Sequence, residues 1–144
     1  MNNNIKEALV APCGMDCSLC SAYLAYSHNL PKEKGKISHC TGCRPRNKQC
    51  AFLIRECALL RDKKIDFCFD CSIYPCDNLK YLDHRYKTKY GLSFIENLNY
   101  VQENGLNKFI SRQKRKYKCS KCGDVICIHN KKCYSCDKIS SWKG

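Results

Sequence analysis

Three features of the 144-residue sequence predict a small metal-organised α+β protein, with an α-rich cysteine-rich N-terminal domain, linking helices and a C-terminal β zinc ribbon. The first is the count of fifteen cysteines, which far exceeds average usage and requires a physical cause. The second is that, without these cysteines, only about a third of the residues are apolar, so little side-chain material remains for a core. The third is that the cysteines form two blocks around a helical stretch. We therefore predict domains at 8–80, 81–116 and 117–144.

Clustered cysteines serve either disulfides or metal ions, and the N-terminal residues favour metal. Residues 1–10 lack the apolar run and the cleavage site of a secretory signal peptide, and no stretch of the sequence approaches the length of a membrane span. We therefore expect a cytoplasmic protein with no membrane association, in which thiols stay reduced and bind metal.

The N-terminal domain is predicted to contain two short helices and a loop between them. The stretch 18–28 reads as a helix that ends before Pro31. Residues 31–50 contain two prolines, two glycines and many cations, a composition that predicts a loop. In 51–62 the side chains of Phe52, Arg55 and Leu59 recur at helical steps, which predicts the second helix.

The ten cysteines of this domain have the spacing of metal ligands. Triads such as Cys13-x3-Cys17-x2-Cys20, with a fourth ligand from elsewhere, are typical of a [4Fe-4S] cubane. Pairs such as Cys40-x2-Cys43 are commoner at zinc sites. Because the block has both patterns, its cofactor is either [4Fe-4S] or zinc. The predicted ligands of the block are Cys13, Cys17, Cys20, Cys40, Cys43, Cys50, Cys57, Cys68, Cys71 and Cys76.

Residues 77–118 contain no cysteine and predict three helices. The first carries an apolar stripe at three- and four-residue steps and stops at Gly91. The second begins at the capping box Ser93–Glu96 and is interrupted at Gly105. The apolar faces consist of Leu79, Leu82, Tyr86 and Tyr90 in the first helix and of Leu106, Phe109, Ile110 and Tyr117 in the third.

The C-terminal segment predicts two short β-rich arms, each with a Cys-x2-Cys turn. Two such turns complete a tetrahedron around Zn2+, and Gly123 suits the first because it tolerates a positive φ. The predicted zinc ligands are Cys119, Cys122, Cys133 and Cys136. Cys127 and His129 are alternative ligands, but we expect Cys127 to face the small interior and His129 to be an exposed loop residue.

The cysteine motifs also resemble a known family. The stretches Cys13-Gly-Met-Asp-Cys17-Ser-Leu-Cys20, Cys40-Thr-Gly-Cys43 and Cys68-Phe-Asp-Cys71-Ser-Ile-Tyr-Pro-Cys76 are similar to the cysteine-rich domain-of-unknown-function family 3795, over roughly residues 10–80. Members often carry a zinc-ribbon tail, which residues 117–136 match; Ser21 departs from the proline that is frequent there. The resemblance implies a small metal-binding protein of prokaryotic type and no particular activity.

No catalytic motif emerges. The chain is too short for the barrel of the radical S-adenosylmethionine enzymes that share the first triad, and its thirteen acidic residues form no acid–base pair. A non-enzymatic role is therefore favoured, either in electron transfer or as an all-zinc module that binds nucleic acid or a protein partner. The net charge of +13 includes an acid-free basic run that reads either as weak phosphate contacts or as a solvated helix face. The candidate nucleic-acid contacts are Lys108, Arg112, Arg115 and Lys116.

Overall fold

The computed structural model describes residues 7–33, 37–42 and 57–137, and in these ranges the protein is helix-rich. The helices are α1 (Ser21–Ser27), α2 (Ala58–Arg61), α3 (Asp77–Tyr90), α4 (Phe94–Asn104) and α5 (Leu106–Lys116). Two 3-10 turns span Cys17–Leu19 and Cys68–Asp70. Cys43, Cys50 and the predicted helical residues 51–56 lie outside the described ranges.

The three linking helices follow the sequence prediction closely. Helix α3 ends where Gly91 adopts φ +70°, a conformation that glycine reaches without steric cost. Helix α4 begins after Ser93, whose Oγ accepts a hydrogen bond from the backbone N of Glu96 at 3.1 Å. Gly105, at φ +93°, separates α4 from α5. Helix boundaries were therefore set by local signals that the sequence carries.

The larger of two hydrophobic clusters among the described residues joins side chains from the N-terminal segment, from α3, α4 and α5, and from the C-terminal segment. Phe94 and Phe109 are its largest buried side chains, and they meet leucines of α3 and α4 together with Val10 and Leu19 of the N-terminal segment. Ile128, from the C-terminal segment, completes this cluster. Burial of this kind stabilises each element through its neighbours, since none of the helices is long enough to be stable alone.

The loop Cys13–Met15 lies directly against α4. Gly14 has φ +92°, and a Cβ placed there would lie 2.7 Å from the carbonyl oxygen of Phe94. The Gly14 carbonyl accepts a hydrogen bond from Asn97 Nδ2 at 3.0 Å. On the other side, the backbone N of Cys68 donates to the carbonyl of Pro12 at 2.9 Å. These contacts place the loops that contain Cys13 and Cys68 beside each other and against α4.

The C-terminal segment packs on the N-terminal one without forming the predicted β ribbon. In residues 117–137 the only pairings are two isolated antiparallel bridges, Lys118–Val125 and Ile126–Cys133. The reason is that tight turns at the cysteines use most of the residues, so no run of paired residues develops. The segment is fixed by the backbone N of Ile128, which donates to Leu19 O at 3.1 Å. Within the described ranges, no helix combines the length and the apolar character that crossing a bilayer requires.

Candidate metal centre

Four cysteine sulfurs meet at the surface of the C-terminal segment. The Sγ atoms of Cys119, Cys122, Cys133 and Cys136 all lie within 4.8 Å of one another. Cys119 and Cys136 are 4.0 Å apart, and Cys122 and Cys133 are 3.5 Å apart. Cys119 and Cys133 are buried, whereas Cys122 and Cys136 are exposed. The structure therefore brings together the four cysteines that the sequence assigned to this segment, as a group able to hold a metal ion.

Two turns of the same geometry present these sulfurs. The backbone N of Gly123 donates to Cys119 O at 2.9 Å, and the backbone N of Asp137 donates to Cys133 O at 2.8 Å. In the first turn, φ of Gly123 is +81°, as its predicted role requires. In the second, Asp137 Oδ2 also accepts a hydrogen bond from the backbone N of Cys133 at 2.8 Å. Each turn also directs two backbone N–H groups at the sulfur of its first cysteine, those of Lys121 and Cys122 at Cys119 and those of Ser135 and Cys136 at Cys133.

These N–H groups favour the thiolate form of one cysteine, Cys119. Hydrogen bonds from the backbone N–H groups of Cys122 and Lys121 lower the pKa of Cys119 to about 7. The pKa of Cys136 rises to about 12, first because of its hydrogen bond with the sulfur of Cys122. Four adjacent sulfurs therefore cannot all carry charge by themselves. A bound cation reverses this balance, because it stabilises every thiolate that faces it.

A third turn of this kind, which sequence reasoning missed, contains Cys127. The backbone N of Lys131 donates to Cys127 O at 3.0 Å, and φ of Lys131 is +61°, close to that of Gly123. Cys127 is fully buried, as predicted, and packs against Leu24 and Tyr134. Burial raises the pKa of this thiol, although the N–H groups of Asn130 and His129 oppose the effect. Cys127 therefore has the turn geometry of a ligand but an apolar environment.

His129 occupies a different place from the exposed loop position that was predicted, and that prediction is wrong. Its ring is half-buried and lies edge-on to Tyr90, with 5.0 Å between centroids, and to Tyr86 at 6.1 Å. Its Nδ1 accepts a hydrogen bond from the backbone N of Ser21 at 3.2 Å. Burial, assisted by Lys89 and Lys131, lowers the pKa of His129 to about 4. The histidine thus fastens the C-terminal segment to the start of α1.

The described cysteines of the N-terminal block are reduced and loosely grouped. Cys13, Cys17 and Cys68 are buried, and Cys20, Cys40, Cys57, Cys71 and Cys76 are half-buried. Burial raises the pKa of Cys68 above its usual range, and the next causes are the nearby thiols of Cys13, Cys76, Cys57 and Cys71. Over the described ranges, however, no three of the block's cysteines lie within 4.8 Å of one another. The ligand assignment of the block stays a prediction.

The second and third cysteines of the first triad share one turn, and the first two of the second triad do the same. Cys20 N donates to Cys17 O, and Cys71 N donates to Cys68 O, both at 3.1 Å across a 3-10 turn. Cys20 then caps α1, and Cys76 caps α3. Cys40 is held beside α1, because its backbone N donates to the carbonyl of Ala22 at 3.2 Å.

The predicted nucleic-acid residues all lie on α5 but in two environments. Lys108, Arg115 and Lys116 are exposed. Arg112, by contrast, is half-buried: its guanidinium carbon lies 4.1 Å from the centroid of the Tyr100 ring, and its Nη2 donates to Asn97 Oδ1 at 3.0 Å. Arg112 therefore joins α5 to α4 and is not one of the exposed cations of this helix.

Comparison with known proteins identifies the family. A family model described as a protein of unknown function (DUF3795) matches residues 9–81, which is half of the chain and includes the described cysteines from Cys13 to Cys76. The four-cysteine group at 119–136 lies beyond the matched range. No curated protein and no solved structure matches the chain. The resemblance that the cysteine motifs indicated is thereby confirmed, and the chain belongs to the DUF3795 family.

Proposed function

We propose that the protein binds one zinc ion through Cys119, Cys122, Cys133 and Cys136, in a zinc-ribbon-like module, and that this ion keeps the C-terminal segment folded. The observation that carries the proposal is the approach of all four sulfurs to within 4.8 Å. With Zn–S bonds of about 2.3 Å, a tetrahedral site separates its sulfurs by about 3.8 Å. The distances of 3.5 and 4.0 Å bracket this value. A four-iron cluster holds its ligands farther apart, because iron and sulfide atoms occupy the space between them.

The need for an ion follows from the small amount of apolar burial that the segment achieves by itself. Apart from the ligands Cys119 and Cys133, its buried side chains are Cys127, Ile128 and Tyr134, and these belong to clusters made mostly of residues from earlier in the chain. Structural zinc contributes on the order of 10 kcal/mol of binding free energy, and where no site exists in the unfolded chain this becomes folding free energy. Metal binding is thus the term that offsets the entropy of ordering the three cysteine turns.

For the N-terminal block we propose further metal, either zinc or a [4Fe-4S] cluster. The hydrogen bond of 2.9 Å from the backbone N of Cys68 to the carbonyl of Pro12 brings the Cys68 turn beside Cys13, and this proximity of the two triads supports a second centre there. A cluster would give the protein a redox or electron-transfer role, whereas zinc would make it a structural module. The colour and the iron content of anaerobically purified protein separate these two outcomes.

The zinc assignment is tested by elemental analysis of matched variants. Cys119→Ser and Cys136→Ser should each remove one zinc per chain, whereas Cys127→Ser, the control, should keep it because Cys127 faces the apolar interior. Zinc lost from Cys127→Ser but retained by Cys119→Ser would show that the ligand set is wrong. Wild-type protein that contains iron but no zinc would overturn the choice of zinc for the four-cysteine group.

A second candidate function, weak binding of nucleic acid, rests on the exposure of Lys108, Arg115 and Lys116 along α5. Each phosphate contact on duplex DNA contributes about −0.9 to the log–log dependence of affinity on salt. The combined change Lys108→Ala, Arg115→Ala and Lys116→Ala should therefore reduce the steepness of this salt dependence by the amount that two to three phosphate contacts contribute. Arg112→Ala should alter the stability of the fold instead. A slope that the triple change leaves untouched would refute this function.

A further inference from the structure

A cavity of about 610 Å3 lies between the N-terminal segment, α5 and the first C-terminal cysteine turn. Its apolar walls include Leu19, Leu24, Ile110 and Val125. The volume falls in the range of about 300–1,000 Å3 that is usual for small-molecule sites. No cysteine lines the cavity, so a ligand bound there would add a function beyond the proposed metal binding.

Two buried polar side chains line the cavity, Asp16 with 7 % and Gln113 with 3 % of its surface exposed. Asp16 Oδ1 accepts hydrogen bonds from Ser18 N at 3.1 Å and from Ser18 Oγ at 2.5 Å. One N–H of the Gln113 amide interacts with the Asp16 carboxylate without reaching normal hydrogen-bond geometry, and the second N–H on Nε2 has no partner among the described residues. A buried donor without a partner costs free energy, which a ligand acceptor would recover.

Three exposed cations also line the cavity: Lys114, Arg115 and Lys118, hereafter the rim cations. The second carboxylate of the lining, Asp124, is already engaged, since it accepts a hydrogen bond from Ser135 Oγ and lies 3.2 Å from His28 Nε2. The rim therefore offers positive charge to an anionic group, with a planar guanidinium that suits phosphate.

A ligand for this cavity needs an anion at one end and, at the other, N–H donors beside an acceptor. Guanine is the common base that presents two adjacent donors, N1–H and N2–H, to one carboxylate, with O6 next to them as an acceptor for an amide N–H. We propose that the cavity binds a guanine nucleotide, with the base at Asp16 and Gln113 and the phosphate at the rim cations. The nucleotide is either free or a base turned out of a single strand, since both present this chemistry.

Calorimetric titration of the metal-loaded full chain at low salt tests the proposal. GMP should bind at one site, and guanosine and AMP should bind at least about tenfold more weakly, because guanosine lacks the phosphate and AMP offers an acceptor, N1, to the carboxylate. Arg115→Ala should weaken GMP binding about tenfold. Arg85→Ala, which removes the same side chain from an exposed position of α3 outside the cavity, is the matched control and should leave binding unchanged.

Further measurements distinguish a free nucleotide from a guanine in a single strand, and they test the contact between the base and Gln113. A short single strand with one guanine that binds at least tenfold more tightly than GMP, and competes with it, assigns the site to nucleic acid; otherwise the ligand is the free nucleotide. Gln113→Met should reduce the preference for GMP over AMP. If this variant fails to fold, the series of ligands and the comparison of Arg115→Ala with Arg85→Ala still decide. Absence of saturable binding of both GMP and the strand, equal binding of AMP, or an equal effect of Arg85→Ala and Arg115→Ala would overturn the proposal.

Discussion

Acidification should destabilise this protein through His129, and the structure gives the sign and the size of the effect. The ring accepts a hydrogen bond at Nδ1 from Ser21 N, so its own proton resides on Nε2, and protonation of Nδ1 would break that bond. The pKa is lowered from 6.5 to about 4, mainly by burial. Between these two values the unfolded chain binds a proton that the folded protein does not, so stability falls as the pH decreases through this window. At pH 5 the loss is about 2 kcal/mol.

Urea unfolding of wild type and of His129→Gln, followed from pH 7.5 to pH 5, isolates this contribution from the loss of metal, which both proteins share. The glutamine keeps an acceptor for Ser21 N but does not titrate. At pH 7.5 the variant should be the less stable of the two, because it loses the ring contacts with Tyr86 and Tyr90. Its deficit should shrink by about 2 kcal/mol at pH 5. A difference from wild type that stays constant with pH would refute the reasoning. The same holds if His84→Gln, a change at an exposed site on α3, shows the same dependence on pH.

Three further changes test the packing. Gly14→Ala should cost at least about 2 kcal/mol in urea unfolding, because the new Cβ would meet the Phe94 carbonyl and the φ is positive. Asp83→Ala should cost about 1–3 kcal/mol by the same measurement, since buried Oδ1 accepts hydrogen bonds from Ser93 Oγ and from the backbone N of Ile95. Cys127→Ser should retain zinc in elemental analysis yet lower the thermal midpoint, because a hydroxyl replaces a buried thiol.

The sequence predicted the linking helices well because their signals are local. The stripe of α3, the cap at Ser93 and the breaks at Gly91 and Gly105 are all properties of neighbouring residues. The same locality explains why the sequence correctly predicted that the four C-terminal cysteines come together, since each Cys-x2-Cys turn is built from hydrogen bonds within five residues.

The sequence did not predict features that depend on contacts between residues far apart in the chain. The basic run predicts Arg112 as a phosphate contact, but it gives no information about the approach of Tyr100 and Asn97 from α4. The sequence predicts an exposed His129 because nothing near it in sequence indicates Tyr86, Tyr90 or Ser21 as neighbours. The grouping of the ten N-terminal cysteines and the domain boundaries at 8–80, 81–116 and 117–144 are long-range questions of the same kind and stay predictions.

The docking of Ile128 has a consequence for any fragment of this protein. The family-matched stretch 9–81 contributes Val10, Leu19 and Leu79 to the core, whereas Phe94, Phe109 and Ile128 come from later residues. A chain cut after residue 81 would expose that apolar surface and would leave the Leu19 carbonyl without the backbone N–H of Ile128. Such a fragment should be prone to aggregation whatever metal it is given, because its missing partners are hydrocarbon and main chain, which no ion replaces.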